Sequence, residues 1–214
     1  MPRTKERIKI LHEPSTHEIF MCLSYMPKWS EILWTHGAEK PYKPFLKWLS
    51  DFRFFPEREE KMTVKKLSSD FKADTSKVSK WLHQIYDDIL DLNYEKSDLF
   101  CTANEIKVQL FMKAFDNYCD LFVSLPALPR EYESFRFSFV RAKLGIDYFW
   151  VKKVEHLVEG DKTEIKVWLQ DGFVNRYREF ALDKAIFQGW MSSRDPYEKY
   201  DLEIDKELRD LYRT

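Results

Sequence analysis

Apolar residues recur at helical spacing through the first half of the chain. In the stretch 44–55, Pro44 can occupy the first turn of a helix, and apolar residues continue at helical spacing until Pro56 ends it. A short helical turn is predicted at 29–34. From Val64 onward, two further helices are predicted on either side of a corner near Ala73, the second reaching about residue 93. The first half is therefore predicted to be mainly helical.

Alternation of apolar and polar residues takes over in the second half. The stretches 106–112 and 121–125 alternate like strands, with a turn signal at 116–117 between them. Near the N-terminus, 7–23 also alternates on both sides of a turn at 13–16 and predicts a β-hairpin. Four more strands are predicted at 135–144, 147–158, 164–170 and 173–180, before a final helix at 196–212 whose charges suit the helix dipole.

These patterns predict an α+β fold, with a helical N-terminal region followed by an antiparallel β-sheet or small barrel and a terminal helix. The prolines at 126 and 129 mark the clearest boundary. They divide the chain into a region 1–125 and an aromatic-rich β region 130–214. The first region would contain the two helices of 63–93. The strand pair 106–125 could form a wing after these helices, as in winged-helix proteins, and this question is left open.

Composition narrows the class of protein without naming a partner. The 214 residues are 44% hydrophobic and 33% charged, and the formal net charge is −1, so any affinity for nucleic acid must be local. Three cysteines without CxxC spacing are typical of a reducing cytoplasm, where we expect the protein. No apolar run approaches bilayer length and no secretory signal is visible, so no membrane association is expected.

The stretch 64–82 carries the most specific pattern. Leu67 and Phe71 would face inward from the first helix, and small Ser68 lies where the second helix would cross. Asp74 or Thr75 can cap the second helix. The inward stripe of that helix follows the spacing i, i+3, i+4, i+7, at Val78, Trp81, Leu82 and Ile85.

This pattern resembles the helix-turn-helix of the lac-repressor and Cro type of bacterial DNA-binding proteins. The resemblance covers about 20 to 25 residues and rests on Leu67, Ser68, Phe71, Ala73, Val78, Ser79, Trp81 and Leu82. The family favours glycine at the corner, where this chain has Lys72. The resemblance implies a sequence-specific transcriptional regulator that acts as a dimer. Its helix 75–86 would enter the major groove of double-stranded DNA.

Charge within the stretch agrees with that implication. Between 61 and 84 there are six lysines and two aspartates, a local charge of +4. Lysines can neutralise phosphates, and side chains at the start of the second helix can reach base edges. The predicted DNA-binding residues are Lys65, Lys66, Thr75, Ser76, Lys77, Ser79, Lys80 and Gln84. Three aspartates follow at 87, 88 and 91 and would have to lie away from DNA.

Two other functions remain open at this stage. The chain could be a DNA-binding accessory of replication or recombination in a mobile element. It could also be a protein-interaction module whose helical hairpin, with a basic solvated face, never meets DNA. In the aromatic β region, rings are interleaved with basic residues, which could form a nucleic-acid surface, but the alternation favours rings packed in a core. A dimer interface or a site for an anionic effector is a further possibility for this region. The candidate effector arginines are Arg136, Arg141, Arg176 and Arg178.

The sequence contains no clear match to a catalytic motif. His12 and His17 are five residues apart around Pro14, which does not match the HExxH zinc motif. The acidic pair in 86–89 lies in a helical pattern rather than on a β-hairpin turn. The five glycines form no phosphate-binding loop. We therefore predict a protein that is not an enzyme and uses no metal or cofactor.

Overall fold

Helices occupy the first part of the chain in the computed structural model, which describes residues 11–51, 63–160, 162–172, 174–199 and 201–212. They are α1 (Thr16–Tyr25), α2 (Pro27–His36), α3 (Lys43–Asp51), α4 (Val64–Phe71) and α5 (Thr75–Glu95). A 3-10 turn, Ser97–Phe100, follows. The predicted helices at 44–55 and 64–93 are present, although 52–62 lie outside the described residues.

A five-stranded sheet follows these helices, which confirms the predicted α+β class. Its strands are β1 (Ile106–Ala114), β2 (Asn117–Leu125), β3 (Ser134–Arg136), β4 (Tyr148–Glu159) and β5 (Lys162–Gln170), in the order β2-β1-β5-β4-β3. The sheet is mixed rather than antiparallel, because β1 and β5 run parallel. The strand pair 106–125 is thus the β1–β2 hairpin, paired along its full length and built into the same sheet.

Three predicted elements are wrong. In the predicted hairpin 7–23, the described residues from Thr16 onward form α1 instead, because Ser15 caps a helix and accepts a hydrogen bond from the Glu18 amide. Residues 7–10 lie outside the described chain. The predicted strand 135–144 is extended only to Arg136; it then turns through a 3-10 segment and the short helix α6 (Arg141–Leu144). At α1 a local hydrogen bond at the helix start outweighed the alternating pattern.

The predicted strand 173–180 is also replaced by helix, from residue 176 onward. Here α7 (Arg176–Phe187) begins at Asn175, whose side chain accepts a hydrogen bond from the Arg178 amide at 3.1 Å. The predicted terminal helix is interrupted and consists of α8 (Asp195–Glu198) and α9 (Asp201–Leu211).

The backbone contacts divide the chain into two compact units, 1–172 and 173–214. The proline-rich segment at 126–129, where we placed the boundary, lies within the first unit. The first unit's core joins the helices to one face of the sheet, with Ile85 and Ile89 of α5 fully buried beside strand residues such as Leu110 and Val167. The second unit has its own small core, formed by Leu182, Ala185, Met191, Ile204 and Leu208.

Rings fill the space between the helices and the segment after β3. Trp29 contacts Phe100, Phe137 and Phe139, with ring centroids 4.7 to 5.9 Å apart. The Tyr86 hydroxyl donates to the Phe139 carbonyl at 3.0 Å inside this core. Part of the aromatic-rich sequence therefore packs internally. Within the described ranges, no helix has the length and apolar character needed to cross a bilayer.

Candidate nucleic-acid interface

Helices α4 and α5 are joined by a tight corner of three residues, 72–74. Lys72 adopts the left-handed conformation, with φ 57° and ψ 44°. Its amide donates to Ser69, and the Ala73 amide donates to Ser68 at 3.0 Å. These two bonds form a Schellman motif, which ends a helix and redirects the chain. The corner thus forms with lysine at the position where glycine is favoured.

Ser68 fixes the corner through its hydroxyl as well as through its small size. Its Oγ is buried and donates to the Ala73 carbonyl at 2.5 Å. It also accepts a hydrogen bond from Thr75 Oγ1 at 3.1 Å. The end of α4 and the start of α5 are therefore tied through one side chain. The sequence had indicated only the need for a small residue at this crossing.

A side-chain cap starts α5 at the predicted place. The Asp74 carboxylate accepts hydrogen bonds from the amides of Ser76 (2.8 Å) and Lys77 (3.4 Å). Of the two caps that the sequence allowed, Asp74 makes the bond. The cap sets the direction in which the first turns of α5 leave the corner.

Both helices bury the face that was predicted to point inward. Leu67, Val78, Leu82 and Ile85 are fully buried, and Trp81 is 8% exposed. Phe71 is half-buried, with its ring centroid 6.1 Å from that of Trp81. Helix α3 supplies Phe45 beside both rings. Three helices thus pack around the corner.

One face of α5 remains exposed and carries four of the predicted DNA-binding residues. Ser76, Lys77, Lys80 and Gln84 are all exposed and lie within about a quarter of the helix circumference. We call these four residues the exposed α5 face. The Lys77 ammonium lies 4.8 Å from the centroid of the Trp81 ring, which steadies its side chain beside the core.

The other four predicted residues are placed differently. Thr75 is exposed, but its hydroxyl is engaged by Ser68. Ser79 is half-buried on the flank of α5, and its hydroxyl hydrogen-bonds Thr16 Oγ1 of α1 at 2.6 Å. Lys65 is exposed and Lys66 half-buried on α4. The contact between α1 and α5 involves an element that the sequence pattern had assigned to a hairpin.

The aspartates beyond this face are held in different ways. Asp88 accepts hydrogen bonds from Lys40 at 2.7 Å and from the Tyr42 hydroxyl, so it belongs to the helical core. Burial and this bond raise the pKa of Tyr42 well above its usual value. Asp87 and Asp91 are exposed and line a polar groove with Asp120 and Lys143. Partial desolvation of the carboxylate raises the pKa of Asp87, against the opposing effect of Lys143.

All four candidate effector arginines interact with other groups of the protein. Arg136 pairs with Asp147 at 3.0 Å, Arg141 with Glu18 at 3.4 Å and Arg178 with Asp205 at 2.5 Å. Arg136 and Arg141 belong to the first unit, and Arg176 and Arg178 to the second. In the part of the chain that the structure describes, no three His, Cys, Asp or Glu side chains are grouped around a position for a metal ion.

The two histidines that were compared with a zinc motif lie in the stretch 12–18, which leads into the first turn of α1. The His12 Nε2 atom lies 3.0 Å from a Glu18 carboxylate oxygen, and the His12 amide donates to Asn117 Oδ1. His12 therefore connects the start of α1 to the β1–β2 hairpin.

Comparisons with protein-family models, curated proteins and solved structures found no match to this chain.

Proposed function

We propose that this chain binds double-stranded DNA as a transcriptional regulator, with the exposed α5 face in the major groove. The observation that carries the proposal is the corner itself. A left-handed residue, a Schellman motif and a polar lock at Ser68 direct a capped helix outward. Many helices end in a left-handed residue with a Schellman motif, so the feature that distinguishes this corner from an ordinary helical hairpin is Ser68, whose hydroxyl ties the end of α4 to the start of α5.

Local charge supports the same proposal. Within 63–84 the chain carries five lysines and two aspartates, a net charge of +3 on a protein whose overall charge is −1. Lysines on α4 and on the first turns of α5 can contact phosphates on both sides of a groove. Positive charge is thus concentrated near the element whose geometry suits a groove.

Roles within the site follow from which side chains are already engaged. Ser76, Lys77, Lys80 and Gln84 are the residues assigned to base edges or nearby phosphates, and Lys65 and Lys66 are assigned to phosphates. Ser79 and Thr75 hydrogen-bond within the protein, so their contribution is to hold α5 against α1 and α4. The proposed reading surface is thereby reduced to one face of two turns.

The exposed aspartates limit how far along α5 the DNA can lie. Asp87 is about 10 Å beyond Lys80 along the helix axis, at 1.5 Å per residue. That distance is about one Debye length at 0.1 M salt. Salt therefore screens the repulsion between Asp87 and a DNA phosphate placed at the first turn of α5, but screens it less for a phosphate placed at the third turn. We therefore place the groove over the first two turns, with Gln84 of the third turn at its edge.

The test is the salt dependence of binding to short duplexes, measured by fluorescence anisotropy. Lys77→Ala/Lys80→Ala should weaken binding and reduce the slope of log K against log salt by about 2, since each phosphate contact contributes roughly 0.9. The matched control is Lys28→Ala/Lys96→Ala, which removes two exposed lysines elsewhere in the first unit. Equal effects of the two pairs, or no duplex retained at low salt, would contradict the proposal.

Comparison between duplexes tests the regulatory part. Selection from random duplexes should enrich one sequence, and Gln84→Ala should relax the preference more than it lowers affinity for unselected DNA. If the enriched sequence occurs only at a replication origin or at the end of a mobile element, the protein is instead the replication or recombination accessory.

A further inference from the structure

Helix α7 exposes a row of aromatic side chains on one face. Tyr177, Phe180 and Phe187 are 87%, 68% and 91% exposed, respectively. Together with exposed Lys184 they occupy positions three or four apart, so all four lie on one side of the helix. We call these four residues the aromatic row. The opposite side of α7 is already buried through Leu182 and Ala185.

A helix that is apolar on two sides is typical of the interior of a bundle. The unit that contains α7 is small, spanning only 173–214, and its core has five buried residues. Units of this length rarely bury enough apolar surface for stability without a metal, disulfide or partner. In the described residues of this unit there is neither a cysteine nor a group of metal-ligand side chains. Covering the aromatic row would supply the missing burial.

The order of residues in the row is self-complementary. Its four positions are symmetric about position 182, with aromatic residues at both outer positions and Phe180 opposite Lys184 at the inner ones. If two α7 helices lie antiparallel across a two-fold axis at that position, Tyr177 meets Phe187 of the second copy. Phe180 then meets Lys184 of the second copy. The first is an aromatic pair and the second a cation–π pair, and both occur twice.

A groove beside the row fits the same arrangement. It lies between α7 and α9, has a volume of about 700 Å³, and is lined by Tyr177, Phe180, Leu208 and Tyr212 among others. Lys184 already extends over the Tyr212 ring, at 5.3 Å from its centroid. The charged residues of this groove include the ion pair between Arg178 and Asp205, so covering it would not isolate either charge.

We propose that a second copy of this chain covers the aromatic row, through an antiparallel, two-fold symmetric contact between the two α7 helices. The two α7–α9 hairpins then pack as a four-helix arrangement. The isologous geometry follows from the symmetry of the row. The contact lies outside the exposed α5 face, and loss of DNA binding by the lysine variants would leave it unaffected.

The first experiment measures the mass of the full-length protein in solution by sedimentation over a range of concentrations. We expect a dimer that Phe180→Lys weakens at least tenfold, because a lysine then faces Lys184 of the second copy. The exchange Phe180→Lys/Lys184→Phe should restore the dimer, since it re-forms both pairs with the roles reversed. The control is Tyr94→Lys, an exposed aromatic residue on α5 in the first unit.

The second experiment tests the antiparallel direction by cross-linking, in a chain whose half-exposed Cys101 is replaced by serine; the other two cysteines are buried. Tyr177→Cys/Phe187→Cys should give a covalent dimer on mild oxidation, and neither single variant should do so. Cross-linking by each single variant would indicate parallel helices and overturn the proposal. So would a monomer at all concentrations, or failure of the exchange variant to restore the dimer while it remains folded by circular dichroism.

Discussion

Lys72 adopts a conformation that costs an L-amino acid with a side chain about 1–2 kcal/mol, because Cβ approaches the following carbonyl oxygen. It is tolerated because three hydrogen bonds converge around it. The Schellman pair from Lys72 and Ala73 and the Ser68 hydroxyl bond all require this backbone. The strain is thus confined to one residue and held by its neighbours. The same residue contributes one of the lysines of the basic stretch, a property that glycine would lack.

Lys72→Gly should therefore raise the free energy of unfolding by about 1 kcal/mol, since glycine adopts this conformation without strain. Chemical denaturation measures the change. Lys72→Ala is the matched control, because it removes the same charge but keeps Cβ and should bring no comparable gain. Equal stabilisation by both variants would attribute the effect to charge repulsion instead.

Helix α5 performs two different tasks along its length. One face of its first turns is exposed beside the corner, while one face of its last turns is buried against the edge of the sheet. There Asn93 is fully buried; its Nδ2 donates to the Phe122 carbonyl and its Oδ1 accepts from the Phe122 amide, both at 2.8 Å. This pair of bonds satisfies main-chain groups of β2, an edge strand. The sheet edge thereby fixes the helix that carries the exposed α5 face.

Replacing Asn93 by alanine should lower the free energy of unfolding by about 2–3 kcal/mol, because two buried main-chain groups lose their partner. Thermal or chemical denaturation measures this loss. Glu95→Ala, at an exposed position two residues further along, should change stability by less than about 0.5 kcal/mol. A similar loss in both variants would mean that the helix end, rather than the Asn93 bonds, is responsible.

Helices and strands were predicted correctly where the apolar periodicity extends over many residues, and wrongly where it is short. The two helices around the corner and β1, β2, β4 and β5 follow from periodicity over many residues. Helix α1 did not, although Ser15 and Glu18 match the S-x-x-E sequence pattern of a helix start and Ser15 does cap the helix. The 173–180 stretch alternates like a strand, yet Asn175 caps a helix there. In both cases the apolar alternation is short, and a local hydrogen bond decides the outcome.

In the whole first unit, the core excludes water from groups that ionise only at alkaline pH. Burial raises the pKa of Cys22 from 9.0 to about 11 and that of Cys119 from 9.0 to about 12. The Cys22 thiol also donates to the Ser138 carbonyl at 3.3 Å, linking α1 to the segment after β3. Both thiols are therefore part of the packing between helices and sheet.

The free energy of unfolding should consequently fall as the pH rises above about 9. The folded state keeps both thiols protonated, while the unfolded state loses those protons above pH 9; the stability is complete below pH 9 and declines until about pH 11 to 12. Each pKa unit corresponds to about 1.4 kcal/mol. Denaturation of Cys22→Ala should show a shallower decline than the wild-type protein between pH 9 and 11, with equal slopes below pH 8. Identical slopes above pH 9 would contradict this account.

The sequence by itself determined the corner, because the signals for its two helices and for the turn between them lie within about 20 positions of one another. Apolar spacing, the small Ser68 and the Asp74 cap are all local signals, and the structure contains each of them. Only tertiary structure decided which predicted side chains remain exposed. Thr16 of α1 engages Ser79, and the parallel pairing of β1 with β5 builds the predicted wing into the sheet. Such contacts join segments far apart in sequence, and their partners cannot be identified from the periodicity of either segment alone.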